Sequence, residues 1–418
     1  MNPPSNSAHA DKGPKSDTSS SVVSLSYQEL LHQTPVAIHA AQMAFCNSSD
    51  DGCGGGFGAL IITDIPHWTE CHTNLLESGA SLALDPSDAM REVRDSIEGE
   101  FRVAPGWMGM PGKETHSLQS GFYANLKAGQ TDAEGGENAI WPDNKWPKEG
   151  ADSPIALKQH VTEAGKVMYE LTLQVLDLAQ EALLAELQAM GTGVDDTSTH
   201  VPITSIPNLR QMAETSTFLP SRLVYYDANF SRPDPIESKG GDHDEYWLPF
   251  HVDFNLATAL APASWIKEDD ALLNGSVQLN HLPETEAGLM LRSTSGTVVP
   301  AALKDDSVLI QLGALSHLSS GGLLRAGPHA VVKDKTKNGM GRLSYGVFIY
   351  GPMEAKMESS PELLEFLKNR KKHTQGVEDE QESKVLFTND YGGLLEKSYT
   401  GETVFDGFKK FETYMNGS

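Results

Sequence analysis

Residues 248–260 read Leu-Pro-Phe-His-Val-Asp-Phe-Asn-Leu-Ala-Thr-Ala-Leu, a β-rich run with an imidazole and a carboxylate two positions apart, His251 and Asp253. Side chains two apart on a strand point to one face, so these groups are expected to converge on one point. A second run, Gly327-Pro-His329-Ala-Val-Val332, opens with another histidine. Two histidines and one carboxylate on neighbouring strands make a facial triad, which leaves coordination positions open and favours Fe(II). Further on, Gly341-Arg342-Leu-Ser344-Tyr-Gly-Val-Phe-Ile-Tyr350 puts a guanidinium and a hydroxyl on one strand face. Inside a closed sheet that cation needs an anion. A carboxylate fits its planar fork, whether it belongs to a ligand or to a structural Asp or Glu.

Around these motifs the texture is one of short strands at 221–226, 248–260, 287–291, 297–300, 307–312, 329–332 and 343–350, with turn residues between them. Such a series without intervening helices predicts a jelly roll or another closed sheet, in a chain that is mainly β with α elements. Upstream, the spacing of Leu30, Leu31, Val36, Ile38, Ala41 and Phe45 predicts one or two helices over 27–45, broken at Pro35. A glycine-rich stretch at 53–58 runs into a β-branched run at 59–63. Phosphate loops follow a strand, whereas this stretch precedes one, so it reads as a turn. Residues 89–102 read as helix and 108–147 as a long irregular stretch carrying Phe122, Tyr123, Trp141 and Trp146. The clearest helix spans 155–190, with apolar residues at steps of three and four from Leu157 to Leu187 and stop signals at Gly191 and Gly193; it reads as a scaffold packed on a sheet.

The 418 residues carry 32 Lys plus Arg against 57 Asp plus Glu, a formal charge of -25. That field repels phosphate backbones, so nucleic acid is excluded as an expected partner. Three cysteines, Cys46, Cys53 and Cys71, cannot build a disulfide framework and point to a reducing compartment. No run of about 20 apolar residues is present to cross a bilayer. Residues 1–24 have almost nothing to bury and lack Arg, which predicts a disordered tail and argues against a transit peptide. The expectation is a soluble, cytoplasmic monomer. From residue 361 onward the chain reads as charged and helical, with 368–372 as a solvated basic helix end.

Taken in order, Arg222-Leu-Val-Tyr-Tyr226, His251-Val-Asp253, Ala287-Gly288-Leu289, Gly321-Gly-Leu-Leu324, His329-Ala-Val331 and Arg342-Leu-Ser344 resemble the isopenicillin N synthase-like branch of the Fe(II)/2-oxoglutarate-dependent dioxygenases. The likeness covers about 221–352 and extends loosely upstream to 57–65, to Ser120-Gly-Phe-Tyr123, to Asn138-Ala-Ile-Trp141 and to the long helix. It implies a double-stranded β-helix core flanked by helices. Its expected divisions are a tail at 1–24, an N-terminal α/β region at 25–200 and a β-helix domain at 201–355. A C-terminal helical extension at 356–418 completes them. It implies iron ligands at His251, Asp253 and His329, with 2-oxoglutarate held at its distal carboxylate by Arg342 and Ser344 and helped by the Tyr226 hydroxyl. It further implies O2 as oxidant, ascorbate as an optional helper and a small organic substrate that is hydroxylated, desaturated or cyclised. Relatives of the isopenicillin N synthase type use the same Arg-x-Ser pair without 2-oxoglutarate, and a silent metabolite-binding protein on this fold is the other alternative.

The chain also departs from the family pattern. Val224 stands where Asn is common, Asp227 where Pro is, Ala314 where Asp follows Gly313, and Ala330 where Arg follows the distal histidine. A polar insertion lies around 267–282. Three other histidines read as bystanders: His243 in an acidic loop, His281 in the insertion and His317 as a satisfied core or surface residue. Trp247 and Trp265 flank the His251 strand and read as core, with a wall of the substrate site as the other reading.

Overall fold

The apolar runs pair into two sheets in a computed structural model of the chain. It describes residues 21–46, 56–100, 104–109, 119–127, 141–148, 155–191, 205–228, 246–268, 278–280, 287–333, 339–375 and 401–415. The strands are β1 (Ser24–Ser26), β2 (Ala59–Thr63), β3 (Gly106–Met108), β4 (Gln119–Asn125), β5 (Pro220–Tyr226), β6 (Tyr246–His251), β7 (Ala257–Leu260), β8 (Ser264–Lys267), β9 (Gly288–Arg292), β10 (Val298–Pro300), β11 (Val308–Leu312), β12 (His329–Val332) and β13 (Met340–Ile349). The helices are α1 (Tyr27–His32), α2 (Pro35–Phe45), α3 (Trp68–Leu84), α4 (Asp88–Ser96), α5 (Leu157–Gly191), α6 (Leu209–Thr215), α7 (Ala314–Ser319), α8 (Pro361–Gln375) and α9 (Val404–Met415). The large sheet runs β1-β2-β11-β7-β13-β5-β4-β3, with β8 also on β13; the small one runs β10-β9-β12-β6. Strands from before and after residue 200 thus share one sheet, through the β2–β11 and β4–β5 pairs. Among the described residues no helix is long and apolar enough to cross a membrane.

Period-two alternation divides the large sheet into two buried faces. Leu60, Ile62, Leu223, Tyr225, Ile310, Leu343 and Tyr345 join one core with helices α2, α3 and α5. The scaffold helix α5 sends Leu157, Val161, Met168, Val175, Leu178 and Leu183 into it, each contributing about 1.5–3 kcal/mol by leaving water. The opposite face looks at the small sheet across two apolar clusters. One gathers Ile61, Leu289, Leu291 and Leu309; the other gathers Val224, Tyr226, Trp247, Trp265 and Val331. Trp247 and Trp265 are therefore buried between the sheets.

Several sequence expectations need correction. The strand expected over 248–260 is two strands. His251 closes β6, and Asp253 lies beyond it in an irregular link. The cause is α7, whose first turn takes up the link's carbonyls: Ala314 N donates to Asp253 O at 2.7 Å and Leu315 N to Asn255 O at 3.1 Å. Helix α7 also interrupts what was expected to be an all-strand series. Within 108–147, β4 pairs with β5 and β3; Gly121 and the mixed polarity of the segment hid the strand. Helix α3 was hidden by its polar and small residues, of which Gly79 leaves the space that Leu223 fills. Helix α4 stops at Ser96, where the chain turns into the Glu98–Trp107 bridge. The tail up to residue 20, residues 53–55 of the glycine-rich stretch, His243 and His281 lie outside the described residues.

One detail fixes where β12 begins. Arg292 N donates to Pro328 O at 3.0 Å, but proline has no N–H with which to answer. The Arg325 guanidinium supplies the missing donor, Nη2 to Arg292 O at 3.0 Å, and the ladder proper starts at His329.

Two expectations follow from this packing. A Cβ added at Gly313 would lie 2.1 Å from Asn255 O and 2.4 Å from its Oδ1. Gly313→Ala should therefore lower stability by roughly 1–3 kcal/mol in urea unfolding, and wild-type stability would mean that the link can move aside. His317 is buried in α7 with Nδ1 donating to Leu324 O at 2.8 Å. Burial, helped by the Arg325 charge and opposed by the Leu324 carbonyl, pushes it down from 6.5 to about 4. Between those values the unfolded chain takes a proton that the folded protein refuses, so stability falls as pH drops from 6.5 towards 4, by up to about 3 kcal/mol. His317→Gln should flatten that slope in metal-free protein; an unchanged slope would refute the assignment.

Candidate active site

His251 ends β6 and His329 begins β12, directly opposite each other in the small sheet, with ring centroids 4.2 Å apart. Each ring gives Nδ1 to a backbone carbonyl: His251 to Pro249 O at 2.9 Å, His329 to Gly327 O at 3.0 Å. A carbonyl only accepts, so in the neutral rings Nδ1 carries the hydrogen and Nε2 presents its lone pair. Asp253 meets both from the link. Its Oδ1 is 3.6 Å from His251 Nε2 and its Oδ2 3.9 Å from His329 Nε2. One ligand atom from each residue lies within 4.8 Å of the others, a set that could hold a metal ion. The sequence reading brought these three together by strand alternation; the fold does so with a strand end, a helix-capping link and a strand start.

Side-chain exposure is 33% for His251, 14% for Asp253 and 6% for His329, so solvent reaches the cluster from the His251 side. Burial and the facing His329 push His251 down to about 4, against the pull of Asp253. Burial raises Asp253, but His329, His251 and the bonds from Thr258 and Gln311 together hold its carboxyl below the ordinary value. Both shifts favour the states a cation needs, a neutral imidazole and a carboxylate. Two imidazole nitrogens and one carboxylate oxygen suit a divalent first-row metal such as Fe(II).

The large sheet supplies the opposite wall. Arg342 on β13 faces Tyr226 on β5, its guanidinium carbon 5.8 Å from the phenol ring centroid, and Ser344 pairs with Val224 one step along. Leu343 and Tyr345 belong to the helix-side core, so Arg342 and Ser344 share the face turned to the small sheet. Arg342 and Tyr226 are buried. Tyr226 stacks on Trp247 at 5.4 Å, and Trp247 lies on Trp265 at 5.8 Å. Burial raises the Tyr226 hydroxyl, while the charges of Arg222 and Arg342 oppose that rise. On the same face of β5, Arg222 lies 5.1 Å over the Tyr123 ring.

Of the other histidines, His317 sits in the core on α7, held by the Leu324 carbonyl. Sequence reasoning missed three polar residues around the cluster: Asn255, Thr258 and Gln311, all fully or almost fully buried. A signal was present at Gln311, a lone amide in the apolar run Val308–Leu312, where a side chain of that kind must be hydrogen-bonded to be tolerated.

No family model and no curated protein matches the sequence. Solved structures match the fold. A full-length Neurospora crassa protein in complex with alpha-KG superposes with a TM-score of 0.55 at 13% identity, over 95% of this chain and 98% of that one. The same protein with alpha-KG and thymine gives 0.51 at 14% identity, over 82% and 89% of the two chains. A protein of the 2OG-Fe(II) oxygenase family from Caulobacter crescentus gives 0.53 at 15% identity, over 84% and 99%. The superfamily that the motifs resemble and the backbones that this chain matches are the same: the chain has the fold of the 2OG-Fe(II) oxygenases.

Proposed function

We propose that this chain is a non-haem Fe(II) oxygenase of the isopenicillin N synthase-like branch, built on a double-stranded β-helix. In this reading it couples oxidative decarboxylation of 2-oxoglutarate to oxidation of a small organic substrate. The observation that carries the proposal is the meeting of His251, Asp253 and His329 on one side of the inter-sheet space with Arg342 and Ser344 on the other. The fold relative crystallised with alpha-KG supports the choice of keto acid.

His251, Asp253 and His329 would hold the iron, which when bound supplies the redox and oxygen chemistry that side chains lack. The remaining work falls to the chain. Arg342 is a buried cation whose planar fork takes the distal carboxylate of 2-oxoglutarate, and Ser344 adds a hydroxyl on the same face. The Tyr226 hydroxyl, held protonated by burial, donates without carrying charge. Val224, beside Ser344, contributes an apolar wall where the family's Asn would donate, which leaves the polar grip on the co-substrate to Arg342, Ser344 and Tyr226. Trp247 and Trp265 close off water behind them. The substrate is a small molecule and hydroxylation is the default outcome; desaturation or ring closure would remove a second hydrogen from the substrate in place of transferring oxygen to it, the oxygen then leaving as water. The charge of -25 disfavours a nucleic-acid substrate.

Anaerobic Fe(II) followed by 2-oxoglutarate should give the weak visible charge-transfer band of an iron-keto acid chelate in the wild type. Asp253→Ala should give none while keeping its circular dichroism spectrum. Iron binding without the band would remove the co-substrate, and absence of iron binding would remove the oxygenase. Arg342→Leu should raise the KM for 2-oxoglutarate about 10- to 100-fold, the worth of a charge-assisted hydrogen bond, and spare iron affinity. An unaltered KM would exclude Arg342 as the anion clamp.

A further inference from the structure

The described hydrogen bonds of the Asp253 carboxylate all fall on one oxygen. Oδ2 accepts from the Thr258 hydroxyl at 2.6 Å and from the Gln311 amide at 3.1 Å. The Thr258 hydroxyl itself accepts from Asn255 Nδ2 at 2.9 Å, so its single hydrogen is directed to Asp253. The Gln311 amide is oriented by the same logic, because a carboxylate only accepts and the nitrogen must therefore face it. That nitrogen also lies 3.0 Å from Nδ1 and 3.2 Å from Nε2 of His329. One amide on β11 thus spans two of the three candidate ligands and ties the large sheet to the small one. Asn255, Thr258 and Gln311 are each 1% exposed or less, so bulk water cannot replace them.

We infer that Thr258, oriented by Asn255, and Gln311 are positioning residues for the metal centre, holding the second oxygen of Asp253 so that only Oδ1 is offered to the cation. The inference rests on the metal-binding reading above. Its chemical consequence would be a carboxylate that offers a cation one oxygen and not two, the other being taken up by Thr258 and Gln311. It also explains two amides and a hydroxyl at positions where an apolar side chain would pack without any need for partners.

The test is equilibrium titration of the full chain with Co(II), read by its visible d–d bands, in wild type, Thr258→Val, Thr258→Ser and Gln311→Leu. Valine keeps the branched shape and removes only the hydroxyl; serine keeps the hydroxyl. Thr258→Val and Gln311→Leu should each weaken Co(II) binding about tenfold or more and alter band intensity, while Thr258→Ser restores both. Wild-type affinity in Thr258→Val, or a loss that serine does not restore, would overturn the positioning role and leave the metal site standing. Failure of the wild type to bind Co(II) would overturn the metal reading itself, and the positioning role with it. Should Thr258→Val fail to fold, Gln311→Leu carries the same decision.

Discussion

The large sheet is covered on both faces, by helices α3 and α5 on one and by the small sheet on the other. A polar side chain buried on the inner face must find a partner or cost several kcal/mol. The inner face nonetheless carries Arg222, Tyr226, Thr258, Gln311, Arg342 and Ser344. Tyr226 is itself part of the tryptophan cluster, and the face it shares with the others is turned to the small sheet that carries His251 and His329, so a polar band there runs beside hydrocarbon. Low dielectric in that band strengthens each charge interaction and raises the penalty for an unmatched one. The oxygenase reading derives its force from this arrangement, since a doubly charged keto acid and a divalent cation are ligands that such a band can match.

Much of this was legible because strands and ligands obey short-range rules. The runs at 221–226, 307–312, 329–332 and 343–350 appear within a few residues of β5, β11, β12 and β13. Both faces of the large sheet are buried, so β5, β11 and β13 read as near-continuous apolar stretches, and the polar exceptions inside them, among them Arg222, Gln311 and Arg342, mark the inner face. What the sequence hid depends on long-range partners. The break after His251 follows from carbonyls that cap α7 some sixty residues later, and no local pattern announces it. Thr258 was unreadable for a related reason: a threonine in a strand is ordinary, and its role is defined by Asp253 and Asn255 across a bend. Strand β4 escaped because it is defined by pairing with β5, about a hundred residues on, and carries no clean alternation of its own.

The overall acidity and the interior have opposite signs. Two guanidiniums, Arg222 and Arg342, stand on the inner face, and the charges of both act on Tyr226.

The guanidinium that answers for Pro328 has a consequence for metal handling. Because Arg325 and the proline fix the start of β12 by backbone chemistry, His329 is in place without help from any cation. The same holds for His251, anchored to Pro249 O, and for Asp253, anchored through α7. A donor set assembled beforehand can exchange its ion without unfolding. It also has little means of choosing among ions, since the Irving–Williams order and local supply then decide occupancy. Mismetallation by zinc or copper is thus the characteristic vulnerability of such a centre, and loading with the intended ion falls to the cell's metal economy.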